Sequence, residues 1–273
     1  MGAQGGGRDI LRIVPQDAVQ FLIAAQHRWI IMTEPTTKSD HHTVRAFDSD
    51  LQEIASKAAA MGALAERQIT DAIRALVDHD TELARHVAAA DQMLDAMQRE
   101  IEQTAVHTLA RRQPVAVDLR EIVAAMRLCH DLERIGDHAK HIGKRVVALG
   151  VDFYPQTLVR GVEHMADLVL SLLKRVLDAY ATSDVKATLA VWRGDEEVDA
   201  LCASVFRELL TYMMEDPRNI AICMHLMFCA KDIERMGDHA TNIAETVYYR
   251  IEGREITDQR PKGDTTNFLR AAG

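Results

Sequence analysis

Residues 131–146 read DLERIGDHAKHIGKRV, and residues 232–247 read DIERMGDHATNIAETV. Over the first nine positions the stretches share seven identities, and the other two exchange one apolar residue for another. Their offset is 101. Further upstream an offset of 104 pairs Met61 with Met165, Leu64 with Leu168, Ile73 with Leu177 and Asp80 with Asp184. The same offset pairs Asp91 with Asp195 and Asp95 with Asp199. The change of offset is one three-residue indel, of the kind loops absorb readily. One unit has therefore been duplicated along the chain.

Each unit holds three long helical segments. The spacing of apolar residues and breakers predicts helices over 43–78, 81–112 and 117–149, then over 156–181, 184–214 and 218–252. Thr81 is the expected N-cap of the second, and Ser183 and Pro217 stand near the starts of the last two. Pro114 breaks the chain, Gly150 ends the third helix, and Tyr154-Pro155 divides the halves. The expected fold class is all-α, two tandem three-helix bundles related by an internal repeat. The repeats span 43–150 and 155–252. Residues 1–40 match neither and read as a disordered leader or a mis-assigned start, with Met32 as the alternative to Met1. Residues 253–273 read as a flexible tail.

Composition agrees with helices. Aromatic residues make up 5% of the chain, and glycine and proline are sparse beside abundant Ala, Leu, Met, Glu and Arg. The net charge of −9 disfavours a phosphate backbone, so no nucleic-acid partner is expected. No apolar run reaches the roughly 20 residues that span a bilayer. Cys129, Cys202, Cys223 and Cys229 form no C-x-x-C pair and read as small core side chains in a reducing compartment.

On a wheel of 100° per residue, Leu128, Leu132, Ile135, Ala139, Ile142, Val146 and Leu149 form the packing seam of the third helix. Glu133 and Asp137 fall on the opposite side, one turn apart, and are expected on an outward face. Glu234 and Asp238 repeat them. On the second helix Asp91 and Asp95 fall beside a seam of Leu83, Val87, Leu94, Met97 and Ile101, and Asp195 and Asp199 repeat them. If the two faces converge, each unit lines one patch with four carboxylates.

One such pair carries little information, because 41 acids in 273 residues yield roughly six i,i+4 acidic pairs by chance. Duplication at matched positions carries more. Like charges at this spacing destabilise a helix by roughly 0.2–0.5 kcal/mol, so their repetition points to a cation that offsets the repulsion. Carboxylates alone suit magnesium, calcium, manganese or iron and also admit zinc. Gly136 and Gly237 sit mid-helix and are explained by close helix approach or by room beside a metal patch. Arg134 and Arg235 screen the first acid of each pair. His138 and His239 lie at the flank of the seam and read as packed or half-exposed histidines ahead of metal ligands. His141 lies one turn past Asp137 and could reach the same patch, although its counterpart is Asn242.

The doubled helix carrying ERIGDHA (133–139) and ERMGDHA (234–240), with D-x-x-x-D on each preceding helix, resembles the PhoU family. The likeness runs over roughly residues 43–250, from TVRAFDSDLQEI (43–54) to GDHATNIAE (237–245). It implies a cytoplasmic, non-enzymatic regulator that damps high-affinity phosphate uptake and the phosphate-starvation two-component response. It implies contacts with the transporter's ATPase subunit and the phosphate-sensing histidine kinase, and membrane association only through those partners. A homodimer is expected separately, since domains of this size often dimerise and an outward metal patch could bridge two chains. It also implies multinuclear metal clusters, iron or zinc first and manganese or magnesium next. The ligands would be Asp91, Asp95, Glu133, Asp137, Asp195, Asp199, Glu234 and Asp238. Asp131 and Asp232 lie nearer the seam and are left out.

Two other readings stand beside this one. A metal-free interaction module would use the acids to bind basic partner surfaces. A di-metal carboxylate enzyme would need E-x-x-H pairs facing a bundle core, and the chain has no E-x-x-H. No catalytic residue is expected.

Overall fold

The computed structural model describes residues 40–150 and 156–258. Within them run six long helices: α1 (Asp40–Asp78), α2 (Thr81–Arg112), α3 (Val117–Leu149), α4 (Gln156–Thr182), α5 (Val185–Glu215) and α6 (Ile220–Glu252). A short 3-10 turn, Pro217–Asn219, precedes α6. No strand occurs among the described residues. Residues 1–39 and 259–273, on which most of the leader and tail expectations fall, lie outside the described residues.

The helix boundaries fall close to those expected, and the start of α2 corrects one assignment. The N-cap is Asp80, not Thr81: its Oδ1 accepts from the backbone N–H of Glu82 and Leu83 at 3.0 and 2.9 Å. An N-cap carboxylate meets two orphan donors and the positive end of the helix dipole together. Asp184 does the same for α5, accepting from Lys186 and Ala187. Before each cap stands a residue of positive φ, His79 at 56° and Ser183 at 53°. The repeat thus preserves a whole turn, left-handed residue then Asp, and not merely its flanking helices.

Within each unit every helix packs on the other two. The units then abut through α3 against α6 and α1 against α4. The α3–α6 contact is antiparallel, since Asp131 meets His239, His138 meets Asp232, and Arg145 meets Phe228. The expected α3 seam is buried throughout. All four cysteines are buried as small core residues, and none forms a disulfide. No helix among the described residues is long and apolar enough to cross a membrane.

The mid-helix glycines mark where helices close in. A Cβ on Gly136 would collide with Leu94 Cδ1 and lie 2.9 Å from Gln68 Oε1. A Cβ on Gly143 would lie 2.8 Å from the backbone carbonyl oxygen of Ala84. Close packing therefore accounts for Gly136. Gly237 is less constrained, with its nearest neighbour, Val198 Cγ1, at 3.2 Å.

Candidate functional site

The duplicated acids lie where helices meet. Asp91 and Asp95 occupy one flank of α2, Glu133 and Asp137 the facing flank of α3, and Lys140 joins the two helices. Its Nζ lies 2.5 Å from Asp91 Oδ2 and 3.0 Å from Asp137 Oδ1. Arg134 adds a second cation, with Nε 2.8 Å from Glu133 Oε2 and Nη1 3.1 Å from Asp137 Oδ2. Asp95 is close enough to act electrostatically on Glu133. The four carboxylates of the first copy do converge.

Their placement corrects the outward reading. Asp91 is 2% exposed, Glu133 7%, Asp195 1% and Asp199 9%. Asp95, Asp137, Glu234 and Asp238 are half-buried. The wheel sets the acids opposite one seam and so gives them to solvent, but α3 is flanked by α1, α2 and α6 together. The side opposite one partner is the side that meets another.

Burial and charge compete within the cluster. Burial pushes the Glu133 carboxyl above its ordinary range. Arg134 opposes this, while Asp137 and Asp95 push it higher. Burial also pushes Asp137 upward, but the Lys140 hydrogen bond and the charges of Lys140 and Arg134 outweigh it and hold Asp137 below its ordinary value. The hydrogen bond to Asp91, reinforced by Asp137, holds the Lys140 ammonium firmly protonated against its own desolvation.

The second copy is built differently. Thr241 stands where the first copy has Lys140, and its Oγ1 lies 3.3 Å from Asp195 Oδ1 and 3.1 Å from the Gly237 carbonyl. Lys231, on the exposed side of α6, reaches Glu234 Oε1 at 2.6 Å. Thr241 thus brings Asp195 of α5 to α6, as Lys140 brings Asp91 to α3.

The donor set fits a hard or borderline cation. Asp91 Oδ1, Glu133 Oε2 and Glu234 Oε2 are buried without a hydrogen-bond donor, although Arg134 lies beside the second without bonding geometry. Buried carboxylate oxygens without donors are costly, and coordination relieves that cost.

The histidines occupy other places. His138 Nδ1 lies 3.0 Å from Asp232 Oδ1, and His239 Nδ1 lies 2.9 Å from Asp131 Oδ1. His138 and His239 are the partly exposed packed histidines expected. His141 is close enough to act electrostatically on Asp137, and its Nδ1 also lies 3.5 Å from Asp232 Oδ1 across the boundary between repeats. Sequence reading set Asp131 and Asp232 aside as seam residues and missed that they bind histidines of the opposite copy. The sequence signal was available: Asp and His recur seven apart in both copies, as 131/138 and 232/239. On antiparallel helices that spacing gives reciprocal pairs.

Comparison with known proteins supplies the family. The PhoU domain family matches the chain twice, over residues 58–146 and 162–247. A phosphate-specific transport system accessory protein PhoU homolog of Rhizobium meliloti (strain 1021) is 50% identical over 231 residues, 85% of this chain and 98% of that protein. One of the same name from Caulobacter vibrioides is 49% identical over 223 residues, 82% of this chain and 97% of the relative. The crystal structure of PhoU from Pseudomonas aeruginosa superposes with a TM-score of 0.71 at 40% identity, covering 76% of this chain and all of that one. The phosphate transport system regulatory protein PhoU from Streptococcus pneumoniae gives the same TM-score at 28% identity, covering 78% of this chain and all of that one. The names describe accessory and regulatory proteins, not an enzyme. With the domain matched in both repeats and relatives aligned over nearly their whole length, the chain belongs to the PhoU family.

Proposed function

We propose that this chain is an accessory regulator of phosphate uptake that restrains high-affinity transport and the phosphate-starvation two-component response when phosphate is plentiful. It acts as a cytoplasmic homodimeric adaptor, through the ATPase subunit of the transporter and the phosphate-sensing histidine kinase. Its relatives' names support the link to phosphate transport. The observation that carries the site reading is the gathering of four acids from two helices of the first copy around buried oxygens without donors, with Glu234 Oε2 buried in the same way in the second. Asp91, Asp95, Glu133 and Asp137 would hold a cation in the first copy, and Asp195, Asp199, Glu234 and Asp238 in the second. Iron or zinc comes first among the candidates, then manganese or magnesium. Bound there, the ion supplies charge neutralisation and ties two helices together.

A specific observation favours a metal-free state for the first copy. Lys140 and Arg134 already place two positive charges among its four acids. That copy would then present a partly neutralised patch.

A strain lacking the gene, carrying a phosphatase reporter, tests the function. Starvation genes should stay on in rich phosphate and be repressed again by the restored gene; normal repression without the gene overturns the reading. Elemental analysis of protein purified without chelator tests the site. Wild type should carry metal, and the Asp137→Asn, Asp238→Asn double variant should lose most of it while remaining helical. Equal metal content in both defeats the ligand assignment.

A further inference from the structure

The boundary between the repeats holds a second constellation of ligand chemistry, beside the first carboxylate patch but built from other residues. On α3, His138 and His141 stand three residues apart and so on one face of the helix. Asp232 of α6 lies opposite them. Its Oδ1 is 3.0 Å from His138 Nδ1 and 3.5 Å from His141 Nδ1, and the three ligand atoms lie within 4.8 Å of one another. Tetrahedral coordination at about 2.0–2.1 Å sets ligand atoms about 3.3 Å apart, which falls between the two measured distances.

We infer that His138, His141 and Asp232 form a site for a divalent transition-metal ion of the zinc class, joining the two repeats across the α3–α6 contact. Two imidazoles and one carboxylate are a borderline donor set, selective for zinc, cobalt, nickel or iron over magnesium and calcium. The ion takes the place between the two Nδ1 atoms and Asp232 Oδ1. Neutral imidazole then coordinates through Nδ1 and keeps its proton on Nε2. Water completes the shell from the side of His141, whose side chain is 47% exposed.

The surroundings orient the carboxylate. Arg145 Nε lies 3.4 Å from Asp232 Oδ2, and its guanidinium stacks over the Phe228 ring at 4.4 Å. Oδ2 is thereby held by a fixed cation while Oδ1 faces the histidines, the outer-shell arrangement that tunes ligand direction. The His138 ring also stands 5.8 Å from those of His141 and His239, so the cluster extends toward the mirrored pair.

That mirrored pair is an internal control. His239 Nδ1 meets Asp131 Oδ1 at 2.9 Å, but the third position holds Asn242, whose Nδ2 lies 3.5 Å from the same oxygen. Thr246 replaces Arg145. One half of the pseudo-symmetric contact therefore has three metal donors and the other only two.

Cobalt(II) titration of the full chain, stripped of metal by chelator, tests the site by its visible spectrum. Tetrahedral cobalt with imidazole ligands absorbs strongly, whereas six-coordinate cobalt on carboxylates and water absorbs far more weakly. Wild type should develop one equivalent of the intense band, and added zinc should abolish it. The exposed substitution His141→Asn copies the other repeat and should remove the band with helicity unchanged. Asn242→His should add a second equivalent. The Asp137→Asn, Asp238→Asn variant should retain the band, which separates this site from the carboxylate patches. Absence of the band from wild type, or its full retention in His141→Asn, overturns the inference.

Discussion

In the first copy an ammonium group, Lys140, lies between Asp91 and Asp137; in the second a hydroxyl, Thr241, takes the same position and meets Asp195. The helix approach differs in step. Gly143 packs against the carbonyl of Ala84 in the first copy, while its counterpart Ala244 carries a methyl group and is fully buried in the second. The first copy thus has a tighter α2–α3 contact and an internal cation, and the second a looser contact without that lysine. Duplication kept the acids and let their counter-charge diverge. Identical motifs therefore need not hold ions equally well, and the second copy is the better candidate for metal.

Exchanging the residues at this position should break that difference. Lys140→Thr leaves Asp91 buried without its charged partner, so metal-free protein should lose about 2–3 kcal/mol of stability in urea unfolding. A bound cation should restore much of it, since ligand at a hundredfold excess over Kd contributes about 2.7 kcal/mol. The reciprocal Thr241→Lys should lower metal content by occupying the second site from within. Unchanged metal content in both variants would show that the two copies are equivalent.

Packing offers the next test. Gly143→Ala should cost about 1–3 kcal/mol, because the obstacle is backbone and α2 must move. Ala244→Gly should cost only about 1 kcal/mol, from helix propensity. Gly136→Ala meets the fully buried Leu94 and should destabilise by about 1 kcal/mol net. At Gly237 the contact strain and the propensity gain nearly cancel, so Gly237→Ala should lie within about 0.5 kcal/mol of wild type. Equal unfolding midpoints for Gly136→Ala and Gly237→Ala would remove the claim that the first copy is the tighter.

Sequence periodicity located the six helices because each carries a long apolar stripe, and the repeat named the acids because their spacing survived duplication. What it missed was the neighbourhood of α3. A wheel has one inside and one outside, and a helix among α1, α2 and α6 has neither in that simple form. Glu133 was placed in solvent for this reason. The contact of His141 with Asp232 was missed because the wheel shows direction within one helix and not which helix lies across from it. The antiparallel pairing of 131 with 239 and 138 with 232 is tertiary information. Asp80 was passed over as a cap for its neighbour Thr81, since both suit an N-cap and only backbone geometry separates them.

The smallest expected effect concerns Glu133 and bears on what neutralises the first copy. Burial raises its carboxyl, so the folded chain binds a proton there that the unfolded chain has already released. Stability from this group is therefore full below the ordinary glutamate pKa of about 4.3 and declines as pH rises toward the raised folded value. In metal-free protein, Glu133→Gln should flatten that decline and be slightly more stable than wild type at neutral pH, with the difference vanishing in acid. Asp137 behaves oppositely, because Lys140 and Arg134 hold it low: its contribution is present above about pH 4 and is lost as pH falls through the depressed value. With metal bound the sign at Glu133 should reverse, since the ionised carboxylate is then a ligand and Glu133→Gln removes it. Urea unfolding across pH, with and without added metal, reads both signs. If Glu133→Gln is stabilising at neutral pH with metal present as well as without it, Lys140 and Arg134 suffice as counter-charge, and the first copy holds no ion through Glu133.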